Sequence, residues 1–240
     1  MLHRVKIALM LSLITLFLSG CLYPKEKLAQ NQKPAKDALM NVQLVVDKYQ
    51  KDTGLLPIRN SEPDTPRYEK FMIDFDKLLR MNYVSEIPAS AFEKGGSYYF
   101  LVINEETDPT VKLMNLAQFQ KINDVQNAVA AYKNNNGGKL PAGEKYYPDF
   151  YLIDYSKLSV KEPEIQSVFS GQTLHTLLDE MGKVYIDYAI DISQMMPSAS
   201  SGYENMADLR ELLVEQSDFV PVKSPGYKLI NGEPQAVLEP

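Results

Sequence analysis

Val42-Gln43-Leu44-Val45-Val46-Asp47-Lys48-Tyr49 runs on through Gly54-Leu55-Leu56-Pro57, and Val125-Gln126-Asn127-Ala128-Val129-Ala130-Ala131-Tyr132 runs on to Gly137 and Leu140-Pro141. With one insertion, seven of the sixteen aligned positions agree. In the first copy Leu39, Val42, Val45, Val46 and Tyr49 recur three and four apart, which predicts a helix from about Ala35 to Thr53 stopped by Gly54. In the second, Leu116, Phe119, Ile122, Val125, Val129 and Tyr132 predict another, broken by Asn134-Asn135-Asn136-Gly137-Gly138. A second match follows in the same order, Phe71-Met72-Ile73-Asp74-Phe75 against Tyr151-Leu152-Ile153-Asp154-Tyr155. Two matches in one order point to duplication.

Working outward, Asp76-Lys77-Leu78-Leu79, Asn82-Tyr83-Val84 and Pro88 have an echo in Arg210-Glu211-Leu212-Leu213, Asp218-Phe219-Val220 and Pro221, so the tail is expected to finish the second unit. Strands are expected at Ser97 to Asn104, Lys183 to Ile192 and Tyr227 to Ile230, where aromatic and β-branched residues lie between turn formers, with Asn231-Gly232 as a tight turn. The fold class is α+β. Two related tandem units, 37–114 and 115–240, each carry a long leading helix, then a short helix and small antiparallel strands.

A chain of 240 residues, 45% apolar and 23% charged, is long enough for one or two globular domains and is not wholly disordered. Its 25 basic and 31 acidic residues give −6, the wrong sign for a nucleic-acid binder.

The first residues say where the chain goes. His3, Arg4 and Lys6 precede Ile7 to Leu18, a run without a charge or a proline. As a helix that run is about 18 Å long, short of the ~30 Å hydrocarbon core, so it reads as a cleaved signal rather than a span. Leu18-Ser19-Gly20-Cys21 closes it. Here the chain resembles a bacterial lipoprotein signal, whose lipobox reads Leu, a small residue, Gly or Ala, then Cys. The resemblance implies diacylglycerol on the Cys21 sulfur, cleavage between Gly20 and Cys21, and a fatty acyl group on the freed amine. Cys21 is the one soft nucleophile for such alkylation, and the chain has no other cysteine. Two acyl chains, at ~0.8 kcal/mol per buried methylene, hold a protein on a bilayer. The expected localisation is therefore the extracytoplasmic face of the cell membrane, with the membrane itself as first partner through the Cys21 lipid. Loss of 1–20 removes Arg4 and Lys6 and leaves −8. Residues 21–36, polar with Pro24 and Pro34, read as a tether.

Over its mature length the chain looks most like the small surface lipoproteins of Gram-positive bacteria related to Bacillus, a group without an assigned activity. Tyr49, Gly54 and Pro57 also resemble the exit of a pilin-like helix, but a lipobox stands where a pilin carries its methylated apolar helix, so filament assembly is not carried over.

Chemistry is read largely by subtraction. Past the signal, His175 is the one histidine, read as an exposed residue on a short helix, and no cofactor or metal site is expected. No Gly-x-Ser-x-Gly, phosphate loop or dinucleotide fingerprint occurs. Asp74 and Asp154 sit at matching places and could serve a glycosidase pair or a cation, but an Asp before a short helix is above all an N-cap. Fifteen tyrosines and no tryptophan make Tyr98 and Tyr146, each in a Tyr-Tyr pair, candidates for a ligand face, although paired tyrosines on a strand more often divide between core and rim. These readings converge on a non-enzymatic binding or scaffolding module of the envelope, its partner an envelope protein or small ligand. A receptor for an uptake transporter and a wall-polymer hydrolase using paired carboxylates are the alternatives.

Overall fold

The computed structural model describes residues 26–196 and 202–238. Helix α1 (Glu26–Thr53) begins ahead of the expected Ala35, so 26–36 is helical where a tether was expected, although Pro34 cannot donate a backbone bond. Among the described residues no helix is long and apolar enough to cross a membrane. From Ala38 onward the chain forms one compact body. There α1 buries Leu39, Val42, Val46 and Tyr49 and leaves Met40 and Leu44 exposed. Gly54, at φ 71°, ends it by donating to the Gln50 carbonyl at 2.8 Å.

The first half continues through α2 (Phe75–Arg80) into the antiparallel hairpin of β1 (Tyr98–Ile103) and β2 (Thr110–Asn115). Two single bridges widen it, Met72 to Leu101 and Ile73 to Ile58. Asn115 then caps α3 (Leu116–Asn135), its Oδ1 accepting from the Gln118 amide at 3.0 Å. Next come β3 (Ala142–Tyr147), β4 (Phe150–Ile153), β5 (Ile165–Gln166), β6 (Thr173–Leu174), β7 (Thr176–Asp179) and β8 (Val184–Ile186). One sheet has the order β3-β4-β7-β8, while β5 pairs with β6. The chain ends with α4 (Ala189–Met195), α5 (Arg210–Glu215) and the hairpin of β9 (Gly226–Ile230) and β10 (Glu233–Val237). The architecture is α+β.

The same rungs recur in both halves. Met72 faces Leu101 as Leu152 faces Leu177, and Val102 faces Val111 as Leu178 faces Val184. The Asp74 amide donates to the Pro57 carbonyl and the Asp154 amide to that of Pro141, both at 2.8 Å. Gln43 on α1 accepts from the Val111 amide at 2.6 Å and donates to the Pro109 carbonyl at 3.0 Å. Gln126 on α3 accepts from Val184 and donates to Gly182, both at 2.8 Å. A leading helix is thus fastened to a hairpin by one glutamine at the matching place in each half.

Two expectations change here. Residues 173–174 and 176–179 are strand, not helix: Thr173 and His175 are exposed while Leu174 and Thr176 are buried, and β7, paired with β4 on one edge and β8 on the other, is buried throughout. Lys183 to Ile192 is strand only as far as Ile186. Asp187 lies just ahead of α4 and accepts from the Ala189 amide at 3.0 Å, and Tyr188 and Ile192 are buried one turn apart. The second hairpin is therefore β7–β8, and the tail does not supply it. Instead 218–223 lies along both hairpins. Leu113 donates to the Asp218 carbonyl at 2.9 Å and accepts from Val220 at 3.0 Å, and Ile186 donates to Lys223 at 2.8 Å. One core takes residues of both halves, among them Leu101 and Met114 with Val125, Phe150, Leu177 and Val220.

Candidate functional site

Gly20 and Cys21 lie outside the described residues. Asp74 and Asp154 both serve as caps. Asp74 Oδ1 accepts from the Lys77 amide at 2.9 Å. Asp154 accepts from the Ser156 hydroxyl and amide and pairs with Lys157 at 2.9 Å; these bonds, that of the Ser156 side chain foremost, hold its carboxyl below the usual range. Tyr98 is half-buried beside Phe219, ring centres 5.7 Å apart, and burial pushes its phenol up. Tyr146 is exposed, edge-on to Tyr147 at 4.8 Å, and borders a 370 Å³ hollow with Ser193 and Glu233. A hydrolase needs two carboxylates facing one substrate space. None of these four residues borders the largest cleft described, so the structure does not gather them into one site. Among the described residues no group of three metal-ligating side chains gathers either.

That cleft, of 590 Å³, is walled by loop residues 63–67 with Lys70 and Phe71, by the end of β1 and its turn (102–107), and by Lys183 from the turn between β7 and β8. Its size is within the roughly 300–1,000 Å³ of small-ligand sites. The loop is stiffened by Pro63 and Pro66 and tied down where Lys70 donates to the Pro63 carbonyl at 3.2 Å and the Phe71 amide donates to the Ser61 hydroxyl at 3.1 Å. Phe71 (φ 56°) and Asn104 (φ 53°), both on its wall, are left-handed. For Asn that conformation is common; for Phe it is strained.

At the cleft's rim Arg67 donates to Glu211 at 2.9 Å and lies 5.3 Å from the ring centre of Tyr68, whose other neighbour is the Arg210 guanidinium at 5.0 Å. Buried Arg210 is paired with Asp208 at 2.6 Å. Burial raises the Tyr68 phenol, so the ring stays neutral between two cations. Lys223, itself left-handed, fastens the tail to Glu69 through a 3.0 Å pair. The cleft wall is thus braced from behind by residues far away in sequence.

A second polar cluster lies at the turn from β8 into α4. Buried Asp187 accepts from Tyr147 at 3.1 Å, from Tyr227 at 2.7 Å and from the Ala189 amide. One turn along α4, Asp191 is 1% exposed; its Oδ1 accepts from Ser167 at 2.8 Å and its Oδ2 has no partner. Burial pushes the Asp191 carboxyl up, against the pull of the serines at 170 and 167, with the Asp187 charge adding to the rise. Three donors on one carboxylate and an orphan oxygen on the other describe a corner that fixes the chain's direction.

The cleft escaped sequence reasoning because no motif marks it. Its trace was a difference in length between the two halves, around Pro63–Pro66 and Asn104–Thr107.

Residues 35–115 match the model of the YphF family N-terminal domain, about a third of the chain, from within α1 to the Asn115 cap of α3. The match takes in the proline loop and the β1–β2 turn. No curated protein and no solved structure matches the chain.

Proposed function

We propose that this protein is a lipid-anchored binding module on the extracytoplasmic face of a bacterial membrane, held by diacylglycerol on Cys21, and that it engages an envelope component without chemical conversion. Its body is a duplicated α+β unit whose tail ties the copies together. The observation that carries the binding reading is the 590 Å³ cleft, with charged side chains from three separate segments around one space. That Asp74 and Asp154 are committed to capping bonds supports a role without hydrolysis. The anchor rests on Leu18-Ser19-Gly20-Cys21.

The test begins in intact cells. Fatty-acid label is expected on the wild type and absent from Cys21→Ala, which leaves the membrane fraction or stays unprocessed with its body folded. Equal labelling of the two chains overturns the anchor. A photo-crosslinker placed at Thr107, on the cleft wall, is expected to capture an envelope component that the same crosslinker at Asp76, on α2, does not; identical captures from both places overturn the binding reading.

A further inference from the structure

Aligned on their shared rungs, the halves differ in length at three places. Pro57 to Ile73 is four residues longer than Pro141 to Ile153, Ile73 to Leu101 four longer than Ile153 to Leu177, and Val102 to Val111 three longer than Leu178 to Val184. The first and third of these stretches wall the same cleft. Since the second half closes the same ladder without them, the ladder does not require them. What they add is a walled space and charge. The backbone follows suit: Phe71 is left-handed, whereas Tyr151, on the matching rung, is not. Strain kept in one copy and absent from the other belongs to what that copy does beyond folding.

The charges around this space are of both signs and are not spent on each other. Lys70 and Lys183 are the cations that Glu211 does not claim; Asp64, Glu105 and Glu106 are the acids. Among the described residues none of these five forms an ion pair. Lys70 donates to the Pro63 carbonyl, and Lys183 lies 5.1 Å from the ring centre of Tyr185. A ligand of one sign would satisfy one set and be repelled by the other. A ligand carrying an ammonium at one end and a carboxylate at the other satisfies both through charge-assisted hydrogen bonds.

We propose, resting on the binding reading above, that the cleft takes a small zwitterion of peptide type, its carboxylate held by Lys70 and Lys183 and its ammonium by Asp64, Glu105 and Glu106. The probe is trialanine with both termini free, compared with its N-acetylated and C-amidated forms, titrated into the full-length lipidated protein in detergent micelles and followed by calorimetry. Free trialanine is expected to bind in the millimolar range or better, and each capped form about tenfold more weakly. Lys70→Gln with Lys183→Gln is expected to bring the free form down to the level of the amidated one. Glu105→Gln with Glu106→Gln is expected to bring it to that of the acetylated one. All four are solvent-accessible changes, so an unchanged melting temperature verifies the fold. Equal binding of free and capped forms, or no heat from any of them, overturns the proposal. Fatty-acid labelling reads the anchor separately, so a labelled, membrane-held protein that ignores trialanine sinks this inference alone.

Discussion

The two buried aspartates at the start of α4 show how neighbours decide what a carboxyl contributes. Asp187 receives hydrogen bonds from two phenols and an amide. Asp191 is drawn by the serines at 170 and 167 but has an oxygen without a partner, and its burial outweighs their pull and favours the neutral acid. Its folded pKa lies above the ordinary 3.8. A carboxyl shifted in that direction carries no penalty below its unfolded pKa. As pH climbs from there through the folded value, the unfolded chain releases its proton first and stability falls; the loss then persists to neutral pH. Asp191→Asn keeps an acceptor for the Ser167 hydroxyl and has no charge to bury. It is expected to raise the melting temperature at pH 7 and to leave it nearly unchanged at pH 3, so that the variant's stability varies less over that range. Thermal melts at the two pH values decide it, and a drop at pH 7 that shrinks at pH 3 would show that Asp191 is held as an anion.

Between elements, the joint that matters is a side-chain amide fastened to a hairpin. Gln126 satisfies the Val184 amide and the Gly182 carbonyl, both on buried residues, and Gln43 does the same for Val111 and Pro109. Replacing Gln126 by Leu keeps the bulk and orphans two backbone groups, at a cost of about 1–3 kcal/mol for each one left dry. Glu at the same place keeps the acceptor for Val184 and loses only the donor, so it is expected to lie between Leu and wild type in urea melts. Equal stability of all three would remove the joint from the account. The long helices, β1 and the Asn231-Gly232 turn were legible in the sequence because each has a local cause: period, β-branching, or two residues that accept positive φ. The strand at Thr176–Asp179 was not, because all four of its residues are buried, which erases the alternation that marks a strand. Residues 187–192 alternate like a strand, yet the Asp187 bond to the Ala189 amide and the fit of Tyr188 and Ile192 into the core turn the chain into a helix from Ala189. Asp74 and Asp154 were legible as caps and are caps. The cleft was not legible, since loops of differing length have no periodicity to read.

At the scale of the whole molecule, the two halves share matching rungs but neither is closed. The outer strand of each hairpin, β2 and β8, presents a backbone edge, and 218–223 satisfies both, Leu113 on one side and Ile186 on the other. Lys112 reaches into the tail as well, donating to the carbonyls of Val214 at 2.7 Å and Ser217 at 2.6 Å, where the end of α5 needs a cation; burial lowers its pKa. The core follows the same logic, with Tyr68, Leu101, Ile103 and Met114 packed in one cluster with residues from α3 to β10. A chain ended at Asn115, close to where the family match stops, would leave that apolar surface wet and the β2 edge unpaired. Such a chain is expected to melt without a cooperative transition and to bind a hydrophobic dye. The full-length protein in detergent is expected to unfold in a single step, with equal calorimetric and van't Hoff enthalpies across residues 38–240. Two separate transitions, or a sharp melt from the chain ended at Asn115, would mean that each copy stabilises itself and that the tail only decorates them. If the single step holds, anything that binds the cleft built on the first copy also stabilises the second, because both unfold together.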